Sequence, residues 1–217
     1  MKNLLIKELK LSTAPITYCF LAFGLMTMLP GYPILLGAFF LCLGIFQSFR
    51  LGRENHDILY TVLLPIRKSD AVRAKFLSVC AIELAGFLLM TVLTFVRMML
   101  LQDAAPYVAN PLMNANPLFL GFALALFGTF NAVFVRGFFK TAYAYTAPFV
   151  CFLLVSALLI AAAEALHFFP GLEWLNATAL GDAAALWPAA AAGALLYAGM
   201  TAAAYRSAVR KFEEVDL

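Results

Sequence analysis

Long apolar stretches, each followed by a short polar segment, make up most of the chain. Each stretch has roughly the 17 to 25 residues that a helix needs to cross about 30 Å of hydrocarbon. The pattern therefore predicts an all-α, polytopic membrane protein with six transmembrane helices, which form a single transmembrane domain over residues 1–217. The predicted spans lie near Ala14–Leu29, Ile34–Phe49, Phe76–Leu101, Leu118–Val135, Ala147–Ala163 and Leu186–Tyr205.

The overall composition agrees with a membrane protein. Hydrophobic residues make up 64% of the 217 residues, charged residues make up only 12%, and the mean hydropathy is +0.90. Soluble domains are about half apolar and about a quarter charged. The net charge of +3 is small, so the distribution of the charges along the chain is more informative than their sum.

Lys and Arg are confined to one side of the predicted bundle. Apart from Arg97, they lie in four segments, residues 2–10, 50–75, 136–140 and 206–211. The opposite loops contain neither residue type, and they are residues 30–33, 102–117 and 164–185. Because Lys and Arg mark cytoplasmic loops, we predict that both termini are cytoplasmic. Arg97 lies near the outer end of the third span, where we expect its side chain to extend outward toward water.

Residues 1–12 predict a separate helix at the membrane surface. Leu4, Leu5, Leu9 and Leu11 share one helical face, and the lysines lie largely off that face. A basic amphipathic helix of this kind lies in the headgroup plane before the chain turns into the membrane, and Pro15 supplies a break near that turn. The alternative is that these residues simply extend the first span.

The segment from Arg50 to Lys75, between the second and third spans, holds six of the 15 basic residues. Its middle also has apolar residues at the spacing of an amphipathic helix. Acidic residues at the start complement the helix dipole, and Pro65 ends the pattern. We predict a short helix that lies parallel to the membrane and contacts a partner. The predicted contact residues are Glu54, Asp57, Ile58, Leu59, Val62, Leu63 and Pro65.

The sequence lacks the common motifs of nucleotide, metal and protease chemistry. No G-x-x-x-x-G-K-[ST] loop occurs, so any ATP that drives this protein is bound by another chain. Glu164 and His167 have a ligand-like spacing but are too few for a metal site, and a solvated outer pair is the simpler interpretation. Asn176-Ala-Thr178 fits a glycosylation sequon on the same side. We predict no catalytic, cofactor or metal site in this chain.

Two further features concern the interior of the predicted bundle. Glu83 and Arg97 are 14 residues apart in one predicted helix, about 21 Å along its axis, so they cannot pair within one chain. Glu83 is therefore expected either in a structural interhelical contact or on a translocation path. In the last span, small residues that allow close helix packing recur every four positions. We expect this stripe to pack within the bundle or at a subunit interface, and it consists of Ala190, Ala194, Ala198 and Ala202.

The polar loop resembles a known family at specific positions. These are Glu54 and Leu59, then Leu64-Pro65-Ile66-x-Lys68, then Val72-x-x-Lys75-Phe76. They are similar to the loop between the second and third spans of ABC type-2 exporter permeases, and the six-span layout is similar as well. The chain departs from better-known members in having no large extracellular domain.

The resemblance implies a role for three segments. Residues 55–64 would form the coupling helix that docks on a separate ATP-binding subunit, residues 1–12 would form an elbow helix, and residues 164–185 would form short outer helices over the pathway. It also implies a location in the bacterial cytoplasmic membrane. The chain itself would not be an enzyme, because ATP and magnesium would bind to the partner subunit.

Three hypotheses of function remain open at this stage. The first is the permease subunit of an ATP-driven exporter, with three partners: an ABC ATP-binding subunit, a second permease copy or related permease, and the lipid bilayer. No nucleic acid is expected. The second is a membrane-embedded enzyme, such as a protease or lipid-modifying protein, which requires a converging polar site. The third is a six-span scaffold that transports nothing.

Overall fold

The chain is helical in a computed structural model, which describes residues 1–141 and 144–215 and has no β-strand in those ranges. The helices are α1 (Lys2–Ser12), α2 (Pro15–Met28), α3 (Leu35–Glu54), α4 (Asp57–Val62), α5 (Lys68–Leu100), α6 (Ala105–Val108), α7 (Pro117–Phe138), α8 (Thr146–Phe168) and α9 (Asp182–Glu213), with a short 3₁₀-helix at Glu173–Asn176 between the last two. Several helices change pitch along their length. α1 ends in a π-helical turn, α2 continues as a 3₁₀-helix from Leu21 to Met28, and α7 is π-helical at Asn131–Val135. α8 ends and α9 begins with a 3₁₀ segment.

Five of these helices, α3, α5, α7, α8 and α9, are long and apolar enough to cross a membrane. A sixth candidate span is the pair α1 and α2, which meet at an angle of 88°. The chain is therefore a multi-pass membrane protein. Two helices extend well beyond the predicted spans, because α5 begins at Lys68 and α9 continues to Glu213. Hydropathy marks where a helix leaves the hydrocarbon, whereas its backbone hydrogen bonds continue into the polar layer.

The bend between α1 and α2 is held by hydrogen bonds to α3. Pro15 begins α2, and the Ala14 amide just before it donates to Ser48 Oγ at 3.0 Å. Thr17 Oγ1 donates to the Gly44 carbonyl at 2.7 Å. The 3₁₀ part of α2 rises about 2.0 Å per residue instead of about 1.5 Å. The 14 residues of α2, six α-helical and eight 3₁₀-helical, therefore reach roughly 25 Å, close to the thickness of the hydrocarbon layer.

Phenylalanine rings fill the interior of the bundle. Phe49, Phe130, Phe134, Phe138 and Phe152 are each at most 2% exposed. Their rings meet mostly edge to face, as for Phe49 and Phe134 at 5.0 Å between centroids and 79° between planes. Such pairs stabilise the core beyond the area that they bury. These rings therefore hold the helices of one subunit together, which accounts for much of the aromatic content of the chain.

The closest helix contact joins α7 and α9 at Gly121 and Gly193. A Cβ atom added at Gly193 would lie 2.3 Å from the Gly121 carbonyl oxygen, and one at Gly121 would lie 2.5 Å from the Ala189 carbonyl oxygen. The alanine stripe does not make this contact, because Ala194, Ala198 and Ala202 are exposed. The expectation that the stripe packs within the bundle is thus wrong for these three residues; the two glycines take that role instead.

Gly193→Ala is expected to destabilise the protein, because the added methyl group meets backbone atoms that have no rotamer to adjust. The matched control is Gly199→Ala on the same helix, where nothing lies within 4 Å of the added Cβ. We expect the control to be neutral or to stabilise by about 0.5–1 kcal/mol, since alanine favours helix. Thermal unfolding in detergent micelles measures both. Equal midpoints for the two variants would contradict the proposed contact.

Candidate functional site

Four charged side chains join α1, α4 and α5 at the end of the bundle that carries most of the Lys and Arg, which we call the basic end. Lys75 Nζ donates to Glu8 Oε2 at 2.9 Å, and Lys7 Nζ donates to Glu8 Oε1 at 3.1 Å. Lys7 also pairs with Asp57, and Lys75 Nζ lies 3.9 Å from Asp57 Oδ2. We call this group, Lys7, Glu8, Asp57 and Lys75, the four-charge junction.

The junction is largely shielded from solvent. The side chains of Glu8 and Lys75 are 5% and 8% exposed, and Lys75 Nζ lies 5.1 Å from the centre of the Phe49 ring. Buried ion pairs gain little net stability, because desolvation opposes the attraction, but removing one partner is costly. The geometry therefore defines the position of α4 relative to α1 and α5. Lys7 reinforces it by donating to Thr61 Oγ1 at 2.6 Å.

α4 presents one face to the bundle and another outward. Ile58 and Val62 pack against the apolar core. The opposite face carries Tyr60, which is 65% exposed, and continues beyond the helix with Leu63 at 74% and Leu64 at 47%. Exposed apolar side chains that follow one another outside the candidate spans indicate a contact surface. We call Tyr60, Leu63 and Leu64 the apolar tip.

The structure divides the seven residues predicted to contact a partner. Asp57, Ile58 and Val62 are turned inward, where they make the contacts described above. Glu54 and Pro65 are exposed and Leu63 belongs to the apolar tip, while Leu59 is half-buried. Glu54 also accepts a hydrogen bond from Arg50 Nε at 3.1 Å.

Tyr60 and Leu64 were missing from the predicted set. Helical periodicity assigned the apolar residues to a single face, and α4 ends at Val62, so the residues after it leave that face. The turn before α4 is also specific, because His56 has a left-handed backbone with φ of 53°. That conformation is uncommon for a residue other than glycine, and it reverses the chain between α3 and α4.

A second polar cluster lies inside the bundle around Glu83, which is fully buried. Glu83 Oε2 accepts hydrogen bonds from Asn131 Nδ2 and from Tyr197 OH, each at 2.9 Å. Asn131 Nδ2 also lies 3.1 Å from Thr201 Oγ1. Glu83 is on α5, Asn131 on α7, and Tyr197 and Thr201 on α9, so the cluster links three spans.

The cluster is incompletely hydrogen bonded, since Glu83 Oε1 and Asn131 Oδ1 are buried without a partner. Glu83 is eight residues from Lys75, about 12 Å farther along α5. The helix that carries the four-charge junction therefore also carries this cluster. Sequence analysis identified Glu83 but not Asn131, although an amide in an otherwise apolar span was a signal for it.

Arg97 occupies the end of α5 away from the junction. Its guanidinium donates to the Thr27 carbonyl at 2.7 Å and to Asn114 Oδ1 at 2.9 Å, and it lies 4.2 Å from the centre of the Tyr107 ring. The residue is only 4% exposed. The expectation that Arg97 reaches water is therefore wrong, because the segment that follows α5 covers it.

Hydrogen bonds connect the two long loops at this end, residues 102–117 and 164–185. Glu164 Oε2 accepts from the Met113 amide at 2.8 Å, and His167 Nε2 donates to the Pro111 carbonyl at 2.9 Å. These residues are thus not a solvated pair. Asn176 Oδ1 accepts from the Asn114 amide at 2.7 Å, so this asparagine is engaged within the fold. Over residues 1–141 and 144–215, no group of three or more His, Cys, Asp or Glu could hold a metal ion.

We predict strong coupling between Glu8 and Lys75 in a double-mutant cycle of Glu8→Gln, Lys75→Gln and the double variant. A buried pair in direct contact should give an interaction energy of about 1–3 kcal/mol. The control cycle uses Arg50 and Glu54, whose side chains are 54% and 56% exposed, and which should couple by about 0.3–0.5 kcal/mol. Unfolding free energies in micelles supply both values. Similar coupling in the two cycles would show that burial does not strengthen the junction.

Glu83→Gln and Glu83→Leu separate the hydrogen-bonding role of Glu83 from its charge. Glutamine keeps a carbonyl acceptor for Asn131 and Tyr197, so we expect nearly wild-type stability. Leucine removes the acceptor that both donors share, so that Asn131 Nδ2 keeps only Thr201 Oγ1, and the lost hydrogen bonds should cost about 2 kcal/mol or more. The unfolding midpoint of each variant gives the comparison. If Gln destabilises as much as Leu, the cluster requires the carboxylate itself.

The arrangement is that of a membrane domain with a short helix held outside the bundle by ion pairs. A family model described as ABC-2 family transporter protein matches residues 3–202. No curated protein and no solved structure matches the chain. The match extends from α1 into α9 and includes the four-charge junction and the Glu83 cluster. The chain belongs to the ABC-2 family of transporter proteins.

Proposed function

We propose that the chain is the permease subunit of an ATP-driven exporter and that α4 is its coupling helix. Family membership already makes the chain a membrane component of a transporter. The observation that carries the finer proposal is the apolar tip, which lies outward from a helix that ion pairs hold to α1 and α5. An exposed apolar surface can bind a partner, and a helix that ion pairs hold to its neighbours can transmit a movement of that partner to them.

The apolar tip has the features of a protein contact. Tyr60 is the type of residue that dominates binding energy at interfaces, and Leu63 and Leu64 extend the apolar surface beside it. Glu54 and Arg50 lie at the end of α3 and supply a charged rim. An apolar centre with a polar rim is the usual composition of a protein interface. The ATP-binding subunit of the transporter is the proposed partner.

The four-charge junction gives this contact a route into the membrane. Movement of α4 displaces Asp57, which is paired with Lys7 and lies beside Lys75. Lys75 is part of α5, a continuous helix of 33 residues that also contains Glu83 and Arg97. A displacement at the partner surface would therefore reach the Glu83 cluster and the far end of the bundle through one rigid element.

The orientation follows from the same proposal. The basic end faces the cytoplasm, in agreement with the distribution of Lys and Arg, and α1 lies as an elbow helix at the inner surface of the bacterial cytoplasmic membrane. A second copy, or a related permease, completes the pathway. The exposed face of α9, with Ala194, Ala198 and Ala202, is smooth enough for close helix association.

Tyr60→Ser is expected to weaken association with the ATP-binding subunit, because the ring supplies apolar area at the centre of the tip. Loss of an aromatic interface anchor costs about 2 kcal/mol or more, which corresponds to roughly a 30-fold weaker complex. The measurement is the amount of ATP-binding subunit that copurifies with tagged permease from membranes. Leu63→Ser should act in the same direction.

Phe168→Ser is the matched control, since Phe168 is also 65% exposed but lies at the opposite end. It should leave copurification unchanged. If no ATP-binding subunit copurifies with the wild-type chain, the six-span scaffold becomes the better hypothesis. If Phe168→Ser and Tyr60→Ser reduce copurification equally, α4 has no special role in docking.

A further inference from the structure

A cavity of about 560 Å³ lies between the ends of α7, α8 and α9. Three cations line it, Arg136, Lys140 and Lys211. Arg136 is in the last turn of α7, Lys140 follows that helix, and Lys211 comes from the end of α9, about 70 residues later in the chain. A volume of this size is typical of small-ligand sites, which range from about 300 to 1,000 Å³.

Close packing holds together the helix ends that surround the cavity. A Cβ atom added at Gly137 would lie 2.8 Å from Pro148 Cβ, so the end of α7 meets the start of α8 without a gap. The rings of Phe139 and Phe212 meet edge to face at 5.4 Å between centroids. Phe212 directly follows Lys211, and this contact holds the end of α9 beside the cavity.

The cations of the cavity have no counter-ion in the part of the chain that the structure describes. Among the described residues, Arg136, Lys140 and Lys211 form no ion pair, and no carboxylate lines the cavity. The acidic residues nearest in sequence are Glu213 and Glu214, which are exposed beyond the cavity lining. Three unpaired positive charges around one concave site indicate an anionic ligand.

Apart from Thr141, the rest of the described lining is apolar, and it reaches into a candidate membrane span. Val133 belongs to α7, and Pro148 and Cys151 belong to the first turns of α8, which is one of the apolar candidate spans. The charged part of the cavity is therefore at headgroup depth and the apolar part at the edge of the hydrocarbon. A ligand that matches both has an anionic head and a hydrocarbon tail.

We propose that this cavity binds an anionic phospholipid from the leaflet at the basic end. Its phosphate lies among Arg136, Lys140 and Lys211, and its upper acyl chain follows Val133, Pro148 and Cys151. Basic cavities between transmembrane helices bind anionic headgroups in this way, and arginine suits phosphate because it donates two parallel hydrogen bonds. The bound lipid links the ends of α7, α8 and α9. The proposal is independent of ATP coupling and of the direction of transport.

The test uses the purified, delipidated chain in an uncharged detergent. Its unfolding midpoint is followed while dioctanoyl phosphatidylglycerol, dioctanoyl phosphatidylcholine or inorganic phosphate is added. We expect a saturable rise with phosphatidylglycerol, because a ligand that binds the folded state stabilises it, and little change with the other two. Equal rises with both lipids would overturn the proposal. An equal rise with inorganic phosphate would also overturn it, since the site would then bind a soluble anion.

Two triple variants test whether phosphatidylglycerol binds in this cavity. The cavity variant Arg136→Gln, Lys140→Gln, Lys211→Gln should bind phosphatidylglycerol about 100-fold more weakly, since each charge near the membrane surface contributes about fivefold. The control variant Arg67→Gln, Arg206→Gln, Arg210→Gln removes the same charge from exposed positions at the basic end and should bind like the wild type. Equal losses in the two variants would mean diffuse attraction and no defined site.

Two single substitutions keep the test valid if the triple variant fails to fold. Lys211 and Arg210 are neighbours on α9, but only Lys211 lines the cavity. Lys211→Gln should weaken phosphatidylglycerol binding about fivefold, whereas Arg210→Gln should leave it unchanged. The midpoint without lipid should be the same for both, because neither residue has an ion pair within the described fold. Identical lipid responses from this pair would overturn the proposal.

Discussion

A polar group inside a hydrocarbon layer needs a partner from the protein itself, and this constraint organises the whole molecule. It requires each backbone that crosses the layer to satisfy its own hydrogen bonds, and the five unbroken candidate spans do so as helices. It also applies to side chains. Glu83 meets Asn131 and Tyr197 between three spans, and Arg97 meets a carbonyl and an amide at the far end of α5. Each buried charge therefore determines which helices are neighbours.

α5 connects the polar features of the fold. It begins near the four-charge junction, passes through the Glu83 cluster, and ends at Arg97 under the segment that follows it. Because it is continuous over 33 residues, it moves as one body unless its neighbours bend it. In the Glu83 cluster, two oxygens are buried without donors. A partly satisfied polar network in an apolar interior is costly, so this cluster carries a cost that the packing around it has to offset.

Close packing accounts for the rest of the bundle. Gly121 and Gly193 bring two helix backbones together, and phenylalanine rings fill the space between the others. This internal use of small and aromatic residues bears on function. The rings at Phe49, Phe134 and Phe152 are inside one subunit, so a pathway for substrate has to be formed by other surfaces. The exposed alanines of α9 and the exposed apolar side chains of α5 and α8 are among the surfaces open to lipid.

Much of the layout could be predicted before the structure was known. Hydropathy located the spans, the distribution of Lys and Arg gave the basic end, and Pro65 with the spacing around Ile58 predicted a short helix between α3 and α5. The loop motif also indicated the family. The errors lie where a side chain had to be assigned a neighbour. Arg97 was expected in water, and the alanine stripe rather than Gly193 was expected to pack inside.

These errors have one physical cause. The sequence by itself determined that the chain is helical, that it crosses a membrane several times and that its lysines and arginines gather at one end. Those properties depend on local composition and on the periodicity of the apolar residues. Only the tertiary structure decided that Glu8 pairs with Lys75, that Asn131 faces Glu83 and that Lys211 joins Arg136 beside one cavity. Such contacts join residues far apart in the chain, and their geometry depends on how the helices rotate and pack against each other.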